Sequence, residues 1–496
     1  MKDPREISTP VLDFVKGYAG SGMSRLHMPG HKGAPVLPGI AMDTDITEVR
    51  GADSLYAADG IIRESEENAA QLFGSGVTFY STEGSSQCIR AMLALVTVLA
   101  PHTSLNDDGP ERDSPPPAGH SSRHRPVILA ARNVHRSFLT AAALLDLDVQ
   151  WLYPPEGTPC SICSCPVSGA QVSRALEMMD PKPAAVYVTS PDYLGYLQDI
   201  SAIARAAHAY RVPLLVDNAH GAYLHFLDQP CHPMDLGADL CCDSAHKTLP
   251  ALTGCAYLHI SKKAASLYVA HGRKALSLFG STSPSYLLLQ SLDQTNAILN
   301  SDYRSRLRNC VSKIQELRAV SEEIPGLRHS LCLPIPSGSC EPLKITLQAK
   351  AAGMDGPALA DLLRLYWIEC EYSDPDHVVL MFSPYNAPED YERLKHAFRD
   401  LLPKAKSVTD TAVPSGSVTG TDPVLFDRHP KQVISIREAA LAPSMCVPLS
   451  RAAGRICADL SLACPPGIPL VMCGEVISEE AVRLLSHYGV SHIHVL

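Results

Sequence analysis

Apolar residues along this chain gather in short runs. Val77–Tyr80, Val127–Ala131, Ala185–Thr189, Pro213–Val216, Asp239–Cys242 and Cys255–Ile260 are apolar or β-branched and read as strands. Helical patterns separate several of them, as at Ile200–Tyr210. Strand and helix in alternation predict a parallel sheet covered by helices. In such sheets the ligand crevice lies beyond the carboxyl ends of the strands. Chemistry is therefore to be sought in the residues just after each run.

Two stretches break the pattern. His102–Pro126 is rich in Pro, Ser, Gly and charge and has no apolar period, so a flexible surface insertion is expected. Lys406–Pro423 has a similar composition and predicts a linker before a last domain. There is no internal repeat. A chain of 496 residues exceeds one ordinary core and points to two or three domains.

Composition narrows the class. With 46% hydrophobic and 19% charged residues, the chain reads as a soluble globular protein. Its net charge of −10, without any Lys/Arg block, disfavours a nucleic-acid partner. The start, MKDPREISTP, holds no apolar leader, and runs such as Ala91–Ala100 are too short to span a bilayer. The 16 cysteines then read as reduced thiols in a cytoplasm. Cys160, Cys163 and Cys165 form a tight cluster, but no fourth ligand lies near them. Free thiols in a loop are expected there, and no metal.

The strand ends carry more information. After Val77–Tyr80, Gly84 permits a tight turn, and Ser85 and Ser86 open a helix. That is either a phosphate cradle or plain capping. After Val127–Ala131 comes His135, able to stack on a planar ring or simply to fill a loop. After Pro213–Val216 comes Asp217, a carboxylate on the crevice floor that needs a cation such as a pyridinium, unless it only caps a helix. After Asp239–Cys242 comes Ser244-Ala245-His246-Lys247. A lysine buried there loses amine basicity and becomes a nucleophile toward aldehydes. Each signal alone is modest. In this order they are the parts that a pyridoxal-phosphate site requires.

Longer motifs reinforce that reading. They include Leu26-His27-Met28-Pro29-Gly30-His31-Lys32-Gly33, DITEVRGADSLYAADGIIRESEENAAQLFGS, Ser190-Pro191-Asp192-Tyr193-Leu194-Gly195, VDNAHGAYLHF, DSAHKTLPALTG and Ser281-Thr282-Ser283-Pro284. With REAALAPSMCVPLSRAAGRI and CPPGIPLVMCGEVISEE near the end, the chain resembles the bacterial ornithine/lysine/arginine decarboxylases. The resemblance implies an α/β architecture. It has an aspartate-aminotransferase-like large domain with a mostly parallel sheet, a small α+β domain and a separate C-terminal α/β domain. The expected division is 1–300, 301–405, a linker at 406–424, and 425–496.

The resemblance also implies roles. Lys247 carries pyridoxal 5'-phosphate as a Schiff base, Asp217 pairs with the ring nitrogen, and His135 stacks on the ring. His220 lies near the ring hydroxyl. Gly84, Ser85, Ser86, Ser244 and His246 hold the phosphate. Thr282 or Ser283 reaches the phosphate of a neighbouring subunit, so a homodimer or a multiple of dimers is expected. The implied reaction converts arginine, lysine or ornithine to an amine and carbon dioxide, as in cytoplasmic polyamine biosynthesis. The competing readings are an aminotransferase or aldolase-type enzyme on the same fold, and a catalytically weak cofactor-binding protein. No Arg in Lys344–Pro384 reads as a carboxylate clamp, since Arg364 lies in a helical pattern. Asp45, Glu48, Asp53 and the region Glu369–Asp376 are candidates for holding a cationic side chain.

Two departures from the family's pattern carry expectations. Glu83 stands where the family usually has Asn, and is expected to face away from the phosphate. The N-terminal wing domain of the long family members has no counterpart here, so their higher assemblies are not expected.

Overall fold

The computed structural model describes residues 7–99, 125–155, 163–323, 328–329, 339–349, 354–409, 430–460 and 469–496. The His102–Pro126 insertion, apart from its last two residues, lies outside that set, as do Cys160 and residues 410–429.

Two helices, α1 (Pro10–Gly20) and α2 (Ile61–Phe73), precede the main sheet. The chain then runs through β1 (Val77–Ser81), α3 (Gly84–Ala94), β2 (Val127–Ala131), α4 (Arg136–Leu145), β3 (Asp148–Leu152), α5 (Gly169–Met178) and β4 (Ala185–Thr189). A two-residue β5 (Tyr196–Leu197) is followed by α6 (Ile200–Ala209), β6 (Leu214–Asp217), α7 (Pro233–Leu236), β7 (Leu240–Asp243), α8 (Ala245–Thr248), β8 (Ala256–Ile260) and α9 (Ala265–Ser277). The seven-stranded sheet has the order β1-β8-β7-β6-β4-β2-β3.

Six strands are mutually parallel, and β8 alone runs against its neighbours β1 and β7. The six apolar runs named above all form strands of this sheet. β3 (DVQWL) lies outside the six runs because it carries Asp148 and Gln150 and is only partly buried; the reversed direction of β8 is likewise not apparent from its apolar run.

Both faces of the sheet are buried, as its continuous apolar strands require. Side chains alternate across it. Leu129, Ala131, Val186 and Val216 pack under α5 and α6, whereas Ile128, Ala130, Tyr187 and Leu215 pack under α3, α4 and α9. The helices follow from local chemistry. In α6, Asp199 caps the N-terminus by accepting the Ala202 N–H at 2.9 Å. The buried positions Ile200, Ile203, Ala204 and Ala207 fall on one face.

The small domain follows α10 (Tyr286–Leu299) and α11 (Tyr303–Glu322). Its antiparallel sheet has the order β12-β13-β11-β9, built from β9 (Arg328–His329), β11 (Lys344–Gln348), β12 (Tyr372–Ser373) and β13 (His377–Met381). Another short strand, β10 (Ser339–Cys340), pairs instead with β5 of the large domain. The helices α12 (Gly356–Arg364) and α13 (Pro388–Thr409) complete the unit. α13 runs to Thr409, so the first four residues of the expected linker are helical.

The C-terminal unit holds α14 (Ile436–Leu441), β14 (Met445–Pro448), α15 (Glu479–His487) and β15 (His492–Val495). Its core, around Leu449, Leu485, Ile493 and Val495, also takes in Tyr372 and Val379 of the small domain. The unit is also docked: Ile436, Ala439 and Met472 share a core with Phe138 and Leu139 of α4.

Phe138 is the keystone of the α4 face. It is fully buried, and its ring lies 4.7 Å from that of Tyr187 and 6.0 Å from that of Trp151. Phe138→Ala is predicted to destabilise the chain by about 3–5 kcal/mol. A urea midpoint unchanged from wild type would contradict the packing described.

Candidate active site

Four strand ends converge on one crevice. Its lining comprises Ser85 and Ile89 of α3, Asn133 and His135 after β2, Thr189 and Tyr193 at and after β4, Asp217, Ala219 and His220 at β6, and Lys247 after β7. Each arrives by a different local device. Gly84 takes a positive φ of 71°, open to glycine at little cost, and turns the chain from β1 into α3. Gly221 lets the loop after β6 close on itself, for a Cβ there would stand 2.0 Å from Asn218 Oδ1. His135 is the N-cap of α4 and accepts the Ser137 N–H through Nδ1 at 3.2 Å.

The centre is a lysine, an imidazole and a carboxylate. Lys247 Nζ lies 3.0 Å from His220 Nε2. Asp217 accepts from the Ala219 N–H at 3.2 Å and the Tyr187 hydroxyl at 3.3 Å, both uncharged donors. Burial pushes the Asp217 carboxyl up, and nearby Lys247 offsets this only in part. Burial also lowers the Lys247 amine, against the pull of Asp217. Burial, and then the Lys247 charge, hold His135 at about 4 and His220 well below the usual range, so both rings are neutral. His220 Nδ1 is buried without a hydrogen-bond partner.

A second hydrogen-bonded layer lies behind the lysine. Asp243 Oδ2 accepts from His232 Nε2 at 2.9 Å and lies 3.2 Å from His259 Nε2, while Oδ1 accepts from Asn218 Nδ2 at 2.6 Å. Burial alone raises Asp243; the two imidazoles outweigh it and hold the carboxyl well below the carboxylate range. These three side chains are close enough to hold a metal ion. His232 Nδ1, however, accepts the Met234 N–H at 3.2 Å, so its proton sits on Nε2 and points at Asp243. With Asn218, the trio is therefore a strut that ties β6, β7 and β8 together.

The residues expected from the sequence fall into two sets. Ser85, His135, Asp217, His220 and Lys247 meet in the crevice. Ser244 joins them through its hydroxyl, which donates to Ser85 Oγ at 2.7 Å. Gly84 and Ser86 lie in the first turn of α3, where the amides of Ser85 and Ser86 have no preceding carbonyl to bond. His246 is turned to the Cys255 carbonyl, 3.0 Å from its Nδ1, and is not among the lining residues. Thr282 and Ser283 are exposed and also outside the lining.

Glu83 is exposed and accepts the Ser281 N–H at 3.1 Å, so it does face away from the crevice. Cys163 and Cys165 are buried free thiols, Cys163 near the carboxylates of Asp374 and Asp192.

Several lining residues were not singled out beforehand. Asn133 and Tyr193 stand right after predicted strands, and that position was the available signal. Tyr193 meets His220 edge-on at 4.9 Å and donates to Glu371 at 2.7 Å.

The carboxylate candidates also separate. Asp53 accepts the amides of Ser54, Gly60 and Ile62 and is spent on starting α2. Asp45 faces His31, Glu369 pairs with Arg364, Asp374 binds the Asp376 and His377 amides, and Asp376 pairs with His487. Glu48 is exposed and takes no part in the lining. Glu371 remains, near enough to Lys247 to favour its charged form.

Pyridoxal phosphate fits this donor set. Asp217 is a buried carboxylate without a cation bonded to it, as a protonated ring nitrogen requires. The neutral His135 ring forms part of the wall, and Ser85, Ser244 and the start of α3 offer hydroxyls and amides to a phosphate. Lys247 offers an amine.

Comparison with known proteins agrees. Residues 121–331 match the model of the Orn/Lys/Arg decarboxylase major domain, and residues 425–491 match that of the C-terminal domain. An arginine decarboxylase of Bacillus subtilis is 29% identical over 96% of this chain and 93% of its own length. One from Bacillus anthracis is 28% identical over 97% of this chain and 93% of its own length. Among solved structures, lysine decarboxylase A from Pseudomonas aeruginosa superposes with a TM-score of 0.75 at 19% identity, covering 97% of this chain and 75% of that one. The constitutive lysine decarboxylase of Escherichia coli gives 0.72 at 18%, covering 99% and 82%; these likenesses establish the fold. With both of the family's domains matched in order and the strand-end residues gathered in one crevice, the chain belongs to the Orn/Lys/Arg decarboxylase family.

Proposed function

We propose that this decarboxylase acts on arginine ahead of lysine and ornithine, with pyridoxal phosphate held on Lys247. The observation that carries the reading is the half-buried Lys247–His220 contact of 3.0 Å beside the Asp217 carboxylate. Bound pyridoxal phosphate supplies an electron sink for the pair left on the α-carbon when carbon dioxide departs.

The chain's own residues do the rest. Burial lowers the basicity of Lys247, which readies its amine as a nucleophile. Asp217 keeps a proton on the ring nitrogen. Ser85, Ser244 and the first amides of α3 hold the phosphate. Lys247 and His220, in contact, can return a proton to the α-carbon. Arg364 is exposed and tied to Asp361 at 2.6 Å and Glu369 at 2.8 Å, so it is not available to clamp an α-carboxylate as an aminotransferase requires.

Preference for arginine rests on the relatives, which are named arginine decarboxylases over nearly their full length. Glu371 is the carboxylate best placed for the distal cation. It is exposed, bound to Tyr193, and lines a concavity on the small domain with Glu369 and Cys370. The product, agmatine from arginine, would then enter polyamine biosynthesis.

We also read the enzyme as a homodimer with composite sites. The exposed Thr282 and Ser283 and the exposed apolar side chains Met23, Leu26 and Met28 support this.

Four measurements test these readings. Incubation with arginine, lysine, ornithine and neutral norleucine should release carbon dioxide and amine from the basic substrates without an oxo-acid acceptor. Glu371→Gln should raise the KM for arginine about tenfold, or ~1.4 kcal/mol, as suits a rim carboxylate. Equal turnover of norleucine and arginine contradicts recognition of the charge. Asp217→Asn should keep the cofactor yet lose about a thousandfold in kcat, or ~4 kcal/mol. Near-normal turnover would show that Asp217 does not serve the ring nitrogen. Lys247→Ala chains mixed with Thr282→Ala/Ser283→Ala chains should regain part of the activity. A fully active monomer contradicts the composite site.

A further inference from the structure

The C-terminal unit grips the large domain at the edge of the crevice. Arg132 directly follows β2 and precedes Asn133 and His135. Its guanidinium donates to Glu475 twice, Nη1 to Oε1 at 2.8 Å and Nη2 to Oε2 at 2.6 Å. The two side chains are 3% and 1% exposed. Glu475 also accepts the Met472 N–H at 2.8 Å. The Arg132 guanidinium lies 5.7 Å from the Trp151 ring and 5.4 Å from the Tyr153 ring. Desolvation takes back much of the energy of such a pair, but its forked geometry fixes position and direction. Here it fixes the start of the loop that carries Asn133 and His135.

The same unit grips the opposite wall. His487, the last residue of α15, places Nε2 2.8 Å from Asp376 Oδ2, in the turn between β12 and β13. Tyr372 and Val379 of that hairpin share a core with Leu449, Leu485 and Ile493. The Tyr372 ring meets Tyr193 at 5.3 Å, and Tyr193 meets His220 at 4.9 Å. Glu371 directly precedes Tyr372. Neither Glu475 nor His487 lines the crevice.

We propose that the C-terminal unit is a clasp across the active site. Glu475, through Arg132, positions the Asn133–His135 loop on the cofactor side. His487, through Asp376, positions the Glu371–Tyr372 segment and Tyr193 on the substrate side. The proposal rests on the functional reading above, since it assigns the two walls their cofactor and substrate roles.

The two anchors give different kinetic signatures, and these are the test. In the cofactor-loaded enzyme, Glu475→Gln should lower kcat about tenfold or more and change the visible circular dichroism of the bound cofactor, with KM held. Asp376→Asn should raise KM about tenfold, with kcat and the cofactor signal held. Ile203→Ala, buried on α6 at the far face of the sheet, supplies a comparison for loss of stability alone. The proposal is overturned if both anchor variants behave as wild type. It is equally overturned if both lose activity only as Ile203→Ala does, or if both change the same parameter. Should Glu475→Gln fail to fold, Glu475→Asp keeps the charge and shortens its reach. It should alter the cofactor signal in the same way, and an unaltered signal with normal kcat overturns the proposal. If wild type releases no carbon dioxide from any basic amino acid, the functional reading fails by itself, while the cofactor's circular dichroism still reports on the cofactor-side anchor.

Discussion

Asp217 is a carboxylate at the buried end of a central strand, and burying it without a cation is costly. Its own hydrogen bonds come from a backbone amide, a phenol and the Cys242 thiol, all uncharged, which leave its charge uncompensated. Lys247 supplies part of the compensation, although desolvation lowers the basicity of its own amine. The two groups therefore favour a third, planar and cationic, between them and the neutral ring of His135. The surrounding architecture serves that requirement. Parallel strands bring their carboxyl ends to one level, and the switch of direction at β8 brings Ala256–Ile260 back beside β7 to brace the lysine turn.

The brace is polar where an apolar core would be simpler. Asp243 receives His232, His259 and Asn218 in a fully buried network that crosses β6, β7 and β8. Hydrogen bonds of this kind add modestly to net stability but cost heavily if one partner is lost. Their value is directional. Asn218 is the neighbour of Asp217, and Asp243 lies four residues before Lys247. The network thus couples the position of the carboxylate to that of the amine.

Much of this was legible in the sequence, for an identifiable reason. A strand buried on both faces must be continuously apolar, so β1, β2, β4, β6 and β7 stand out, and the residues after them point to the crevice. Gly84, Ser85, His135, Asp217 and Lys247 were found in that way. What escaped depends on contacts far apart in sequence. Nothing local in Tyr193 announces its bond to Glu371, and nothing in Arg132 announces Glu475, hundreds of positions away. The direction of β8 is set by its pairing with β1, which its own apolar run does not encode. The first residues of Lys406–Pro423 belong to α13, which the composition of that stretch does not reveal.

Charge around the crevice is arranged with a polarity. His135 and His220 are neutral, so neither adds a positive charge beside the cofactor. Arg136 and Arg90 lie near His135 and contribute to keeping it neutral. They make that side positive, whereas Glu371 on the opposite wall is negative and touches Tyr193. A basic amino acid is itself a dipole, with a carboxylate at one end and a cation at the other. In such a field its favourable orientation puts the carboxylate toward the arginines and the tail toward Glu371, and an acidic side chain would meet repulsion on the Glu371 wall. Selection of a cationic tail can thus come from the electrostatics of two walls, which makes the spacing between those walls part of the specificity.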